Sequence, residues 1–204
     1  MGRIITYLIR RNQIRPTSFY YANRRACLRI FNNHARRWKN GMKATSPGEL
    51  FRIDHMSVSI IAGFQVKHFQ GICPKVVVEQ AYLRATSSIA KQFLEFAQSQ
   101  LPFKIKSIQV DGGSEFMKEF EQSCKDLGIP LYVLPPRSPE CNGKVERANG
   151  AAKFDFYSTY AGQCNLFYLR KALKKYVRKY NSYRPHQALQ YKTPLQYYHM
   201  ISEA

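Results

Sequence analysis

The chain has 204 residues, 45% of them apolar and 14% aromatic, enough for one α/β domain with a real core or two small domains, and too apolar for a disordered chain. No apolar run approaches a membrane span, since the stretch around Ile60, Ile61 and Ala62 is broken by Ser59, Gly63 and Gln65, and no apolar stretch leads to a signal-peptide cleavage site. The net charge of +19 is unevenly spread: residues 1–48 carry +11 with no acid, 49–155 carry +1, and 156–204 carry +7, a pattern that points to a polyanion partner.

In chain order, Gly2 to Asn12 reads as a short basic helix with Ile4, Ile5, Leu8 and Ile9 on one side. Residues 13–48 read as an extended arm or linker, able to gain a helix around Arg24 to Arg37. From Leu50 the pattern changes. "LFRIDHMSV" alternates as a strand, and "GFQVKHFQGI" and the β-branched "KVVVEQAYL" read as two more. "ATSSIAKQFLEFAQSQL" is a helix with Thr86, Ser87 and Ser88 as cap candidates and Ile89, Phe93, Leu94 and Ala97 on one face. "IKSIQV" is a short strand. "SEFMKEFEQSCKDLG" is a helix that stops at Gly128. "PLYVLP" is a strand, "RSPECNG" a loop, and a helix runs from about Lys144 to Tyr157. The last helix carries a core-facing stripe of Leu169, Leu173, Tyr176 and Tyr180 opposite six Lys/Arg between Arg170 and Lys179. Three strands followed by alternating helices and strands predict an α/β fold, a mixed five-stranded sheet flanked by helices.

Five scattered cysteines form no CxxC pair and no zinc-finger spacing, so they read as reduced thiols of a cytosolic protein. The carboxylates say more. Asp54 sits mid-strand, Asp111 ends the fourth strand in "IQVDGGSEF", and Glu146 lies early in the helix after the Pro-rich loop. An acid inside an apolar strand is unfavourable unless paired or bound to a cation. Three carboxylates converging from separate elements make a hard oxygen site suited to Mg²⁺ or Mn²⁺. Taken singly, each has a plainer reading: an edge residue, a turn residue, and a charge near a helix N-terminus.

The set "IDHM", "VDGGSEF" and "PPRSPECNGKVERAN", with 34 residues between Asp111 and Glu146, resembles the catalytic core of DDE transposases and retroviral-type integrases, most closely bacterial insertion-sequence transposases. The tail "YNSYRPHQALQYKTPLQYY" resembles their C-terminal ending. The resemblance covers about Gly48 to Tyr198 and implies a ribonuclease-H-like fold, with a basic arm (1–47), a catalytic core (48–160) and a basic helix and tail (161–204). It implies two Mg²⁺ (or Mn²⁺) ions held by Asp54, Asp111 and Glu146, which catalyse DNA strand cleavage and strand transfer. Asp54 would bridge both ions, Gly112 and Gly113 would allow the sharp turn, and Asn142-Gly143 would be a hinge. Lys144, Arg147 and Lys153 near the site, and Arg170, Lys171, Lys174, Lys175 and Arg178 on the last helix, are the expected DNA contacts. Arg184 and His186 are expected to lock the tail rather than do chemistry. The partners implied are mobile-element ends and target DNA, a second copy of the chain and no membrane, in the bacterial cytoplasm at the nucleoid.

Transposases of this kind carry a helix-turn-helix before the core. "MGRIITYLIRR" looks like only the end of one, so the chain reads as shortened at its N-terminus. Gly150 stands where the family tends to place a larger residue. Two rival readings follow: an inactive remnant that only binds DNA, and a nuclease of RNA–DNA hybrids.

Overall fold

The structure, a computed structural model, describes residues 35–37, 44, 46–73, 75–134 and 139–202, with the backbone alone at 37, 62, 139–142 and 144. The expected N-terminal helix, and all of the arm before residue 35, lie outside the described residues.

Six strands form one mixed sheet: β1 (Arg36–Arg37), β2 (Phe51–Ser59), β3 (Gln65–Cys73), β4 (Val76–Tyr82), β5 (Ile108–Val110) and β6 (Leu131–Val133), in the order β1-β6-β5-β2-β3-β4. β2, β3 and β4 form an antiparallel meander, while β5 and β6 pair parallel to β2 and to each other. These are the five strands expected. The sixth, β1, is a correction. Arg36 and Arg37 pair parallel with Tyr132 and Val133 instead of turning helical, and the Ala35 amide donates to the buried Glu121 carboxylate at 3.1 Å.

Helices α1 (Ser87–Gln100) and α2 (Glu119–Asp126) cover one face, over a core built on Phe51, Ile53, Phe69, Phe93, Leu94, Phe116 and Phe120. Helices α3 (Pro139–Ala151) and α4 (Leu166–Ser182) cover the other, where Val58, Val66 and Ala81 meet Phe156, Leu169 and Leu173, and Ile72 and Val77 meet Val145 and Ala148. The alternation along β2 divides its side chains accordingly. Phe51 and Ile53 face α1, and Arg52 and Asp54 face α3. α5 (Pro194–Ser202) closes the chain, and the Tyr198 hydroxyl donates to the Pro102 carbonyl at 3.1 Å.

Local chemistry sets the helix ends. Thr86 caps α1 by accepting from the Ile89 amide at 3.3 Å, and Asn165 caps α4 by accepting from Phe167 at 2.8 Å. "TPLQ" forms a capping box before α5: the Gln196 amide donates to Thr193 Oγ1 at 3.2 Å, and the Thr193 amide donates to Gln196 Oε1 at 2.9 Å. Gly128, at φ +65°, ends α2 as expected.

Two helix readings need correction. "SEFMKEFEQSCKDLG" is a 3₁₀ turn (Ser114–Phe116) and a separate helix, broken at Lys118 with φ +51°. The Ser87 hydroxyl occupies the break, donating to the Met117 carbonyl and accepting from the Phe120 amide. The helix bearing Glu146 begins at Pro139, so Asn142 and Gly143 lie inside it rather than in a hinge; it continues as a π-helical turn over Ala152–Phe156.

Candidate active site

Asp54, in the middle of β2, is half-buried and held at both oxygens. Oδ1 accepts from the His55 amide at 2.8 Å, and Oδ2 accepts from Asn149 Nδ2 on α3 at 2.9 Å. Burial pushes its pKa up to about 6, with repulsion from Asp111 and Glu146 adding to the rise. Asp111 stands just past β5, and its Oδ1 accepts from the Gly113 amide at 3.0 Å, the turn expected of Asp-Gly. Burial raises its pKa and Glu115 adds to the rise, while the Gly113 amide and His55 hold it down. Glu146 is exposed on α3, one turn before Asn149.

Gly113 leaves room for the Glu115 carboxylate rather than supplying an unusual φ, which is −65°. A Cβ there would fall 2.3 Å from Glu115 Oε1. That carboxylate is engaged by His55, whose Nδ1 lies 2.8 Å from it. The Glu115 contact raises the His55 pKa against the effect of burial. For Glu115, burial pushes upward, but the His55 bond and the backbone amide outweigh it and the pKa is lowered. His55 is stacked on Phe69 at 5.2 Å and hydrogen-bonded to Glu115. None of His55, Glu115 and Asn149 is singled out by sequence reasoning. All three lie inside the quoted motifs, as the His of "IDHM", the Glu of "DGGSEF" and the Asn of "ERAN".

Among the described residues, no three His, Cys, Asp or Glu side chains lie close enough together to form a ready-made metal cage. The donor set nevertheless fits a hard divalent cation. It is all oxygen, two of its members are half-buried, and the repulsion that Asp111 exerts on Asp54 is a cost that a cation would remove.

The expected DNA contacts divide. Arg147 and Lys153 are exposed on the helix bearing Glu146; the side chain of Lys144 is outside the described residues. On α4, Arg170 is half-buried and committed: its Nε donates to the Ala81 carbonyl at 2.8 Å, and its guanidinium lies 4.9 Å from the Tyr82 ring centroid. With Lys171, Lys174 and Arg178 it lines a cleft of about 580 Å³ beside edge strand β4. Lys179 lines a different cleft, so the six cations of α4 do not share one face. Asn181 covers the edge of β4 like an added strand, accepting from the Val77 amide at 3.0 Å and donating to the Val77 carbonyl at 2.8 Å. The tail is locked as expected. Arg184 pairs with Asp155 and lies over the Tyr180 ring, and the His186 ring packs 4.9 Å from Tyr180. Cys73, Cys124 and Cys164 are free thiols.

Residues 127–194 match the family model of the integrase core domain. A putative integrase (ORF3) of Spiroplasma virus SpV1-C74 is 30% identical over 113 residues, 48% of this chain and 30% of that protein's length. Solved structures share the fold. A chain of the simian T-cell lymphotropic virus intasome, solved with the PP2A regulatory subunit B56 gamma, aligns at TM-score 0.68 and 21% identity over 84% of this chain and 62% of its own. The HTLV-2 integrase catalytic core with magnesium, in its trimeric form, aligns at 0.63 and 20% over 77% of this chain and all of its own. The BIV integrase catalytic core aligns at 0.60 and 21% over 76% and 97%. The fold is the ribonuclease-H-like fold of integrase catalytic cores. The chain spans less than a third of the viral relative it matches. No helix among the described residues is long and apolar enough to cross a membrane.

Proposed function

We propose that this chain is a DDE-type polynucleotidyl transferase that cleaves DNA strands and joins them to target DNA, with Asp54, Asp111 and Glu146 as its metal ligands. The observation that carries the reading is geometric: the Asn149 bond ties the helix bearing Glu146 to the half-buried Asp54 on β2, and Asp111 stands just past β5, the strand paired parallel with β2. Asp54, Asp111 and Glu146 would together hold the ions. When bound, two Mg²⁺ (or Mn²⁺) ions would activate the attacking water or 3′-hydroxyl and stabilise the departing 3′ oxygen. Magnesium is named with the HTLV-2 core, which supports a divalent ion.

The chain's own residues supply the rest. Asn149 and the His55 amide fix the Asp54 carboxylate, and Gly113 fixes Asp111. Arg147 and Lys153, with Lys144 before them, would bind phosphates beside the site. Lys171, Lys174, Lys175 and Arg178 would hold DNA farther away, and Arg170 belongs with them by position. Residues 48–160 would be the catalytic core, and 161–204 a basic tail. Self-association is part of the proposal, since the HTLV-2 core is described in trimeric and dimeric forms and the simian relative in an intasome. The DNA would be mobile-element ends and target in a bacterial nucleoid.

One observation favours the second reading, a remnant that binds DNA without reacting: Glu146 is exposed and the three acids form no closed cage. Strand transfer of a short DNA end into plasmid in Mg²⁺ separates the two. Wild type should yield joined product and Asp111→Asn none. DNA binding without cleavage or joining in Mg²⁺ or Mn²⁺ would establish the remnant.

A further inference from the structure

Phe154 is 70% exposed, and no aromatic contact is made by its ring among the described residues. It lies on the side of the helix that carries Glu146, Gly150 and then Phe154 at intervals of four residues. The opposite side is buried, through Val145, Ala148, Ala152 and Phe156. Exposed cations precede the ring on the helix, Lys153 directly before it and Arg147 two turns back. At Gly150, between Glu146 and Phe154, a Cβ would meet nothing within 4 Å, so the surface there is open.

The backbone under Phe154 is a π-helical turn that is tied down. Such turns recur at functional sites because they re-aim side chains. The Ser158 hydroxyl donates to the Phe154 carbonyl, and Thr159 Oγ1 donates to the carbonyls of Asp155 and Phe156 at 3.1 and 3.2 Å. Asp155 is paired with Arg184 of the tail, so the "RPH" segment clamps the same turn. The ring is therefore presented to solvent on a fixed platform.

We infer that Phe154 is a stacking platform for an unpaired base of the DNA substrate, an inference that rests on the DNA reading above. An aromatic face next to cations is the chemistry that binds single-stranded nucleic acid, the ring taking the base and the cations the phosphates. Within a duplex the base faces are already stacked, so the ring selects a base left unpaired at a DNA end. The position past Glu146 on one helix face puts that base next to the strand on which the carboxylates act.

The test compares a blunt 20-base-pair duplex with the same duplex bearing a three-nucleotide overhang that contains 2-aminopurine. Wild type should bind the overhang DNA about tenfold more tightly and quench the probe. Phe154→Leu, at an exposed position that tolerates it, should lose both effects and leave blunt-duplex affinity unchanged. Phe154→Trp should keep them. Equal behaviour of wild type and Phe154→Leu on both DNAs would overturn the inference and leave the DNA reading intact. Failure to bind either DNA would overturn both. Loss of self-association by Phe154→Leu, measured by sedimentation, with DNA binding unchanged, would assign the ring to a protein contact instead.

Discussion

Asn149 donates to Asp54 across the gap between α3 and β2, at 2.9 Å, and so ties the helix that carries Glu146 to the strand that carries the central aspartate. The bond fixes which Asp54 lone pairs remain for another ligand. Groups that orient ligand carboxylates in this way typically contribute 10–100-fold to metal affinity or activity. Asn149→Ala should therefore lower strand transfer, or raise the Mn²⁺ concentration it needs, by about that factor. The measurement is rate against Mn²⁺ concentration. A variant that matches wild type at every concentration would remove Asn149 from the site.

The buried polar residues of β3 and β4 set a pH dependence. Glu79 is fully buried, and burial pushes its pKa from 4.5 up to about 8. His68 is its neighbour, with Nε2 at 3.9 Å, beyond hydrogen-bond range; burial lowers its pKa to about 3, and its Nδ1 lies 2.9 Å from the Tyr157 hydroxyl. Below about pH 4.5 Glu79 is protonated in both folded and unfolded chains. Between 4.5 and about 8 only the unfolded chain ionises, so stability falls as pH rises through that window. His68 acts in the opposite sense, and its contribution is lost as pH falls from 6.5 toward 3. Glu79→Gln isolates the first effect. At about 1.4 kcal/mol per pH unit, it should stabilise the fold by roughly 4–5 kcal/mol at pH 8 and by nearly nothing at pH 4.5. Urea unfolding at both pH values measures this, and a gain independent of pH would contradict it.

Two glycines should respond oppositely to alanine. A Cβ at Gly71 on β3 would lie 2.0 Å from the Phe51 ring, which is fully buried in the core. Gly71→Ala should destabilise by about 1–3 kcal/mol. Gly150 has open space around it, so Gly150→Ala should stabilise α3 by up to about 1 kcal/mol. Thermal unfolding of both variants checks the pair of signs.

The sheet and its two helical layers were legible because alternation in β2 to β4 and the apolar stripes of α1 and α4 encode faces directly. From the sequence, the three acids are proposed on motif spacing alone. The break at Lys118 was not legible, because it depends on Ser87 reaching across from another helix. The roles of His55, Glu115 and Asn149 were hidden for the same reason, since each is defined by a partner distant in sequence or on another element. The start of α3 at Pro139 was misread because Pro, Asn and Gly favour loops locally, while packing of Val145 and Ala148 on Ile72 and Val77 favours the helix. The division of the α4 cations depends on which side meets β4, which no periodicity of Lys and Arg reveals.

That division gives a salt prediction. DNA affinity should fall steeply with salt, and each phosphate contact removed should reduce the log–log slope by about 0.9. Lys174→Gln, which loses an exposed cation, should show that reduction at unchanged melting temperature. Arg170→Gln loses the bond to the Ala81 carbonyl, so it should lower the melting temperature instead. A flat salt response of the wild type would end the claim that the basic flanks meet a polyanion.

The central claim is that Asp54, Asp111 and Glu146 act as one divalent-cation site. Mn²⁺ binding, followed by loss of the free-ion paramagnetic resonance signal, tests it without requiring turnover. Wild type should bind Mn²⁺, and Asp54→Asn, Asp111→Asn and Glu146→Gln should each weaken that binding at least about tenfold, as expected when one ligand of a shared site is lost. Binding by Glu146→Gln indistinguishable from wild type would contradict the claim and leave Glu146 as a surface residue of α3.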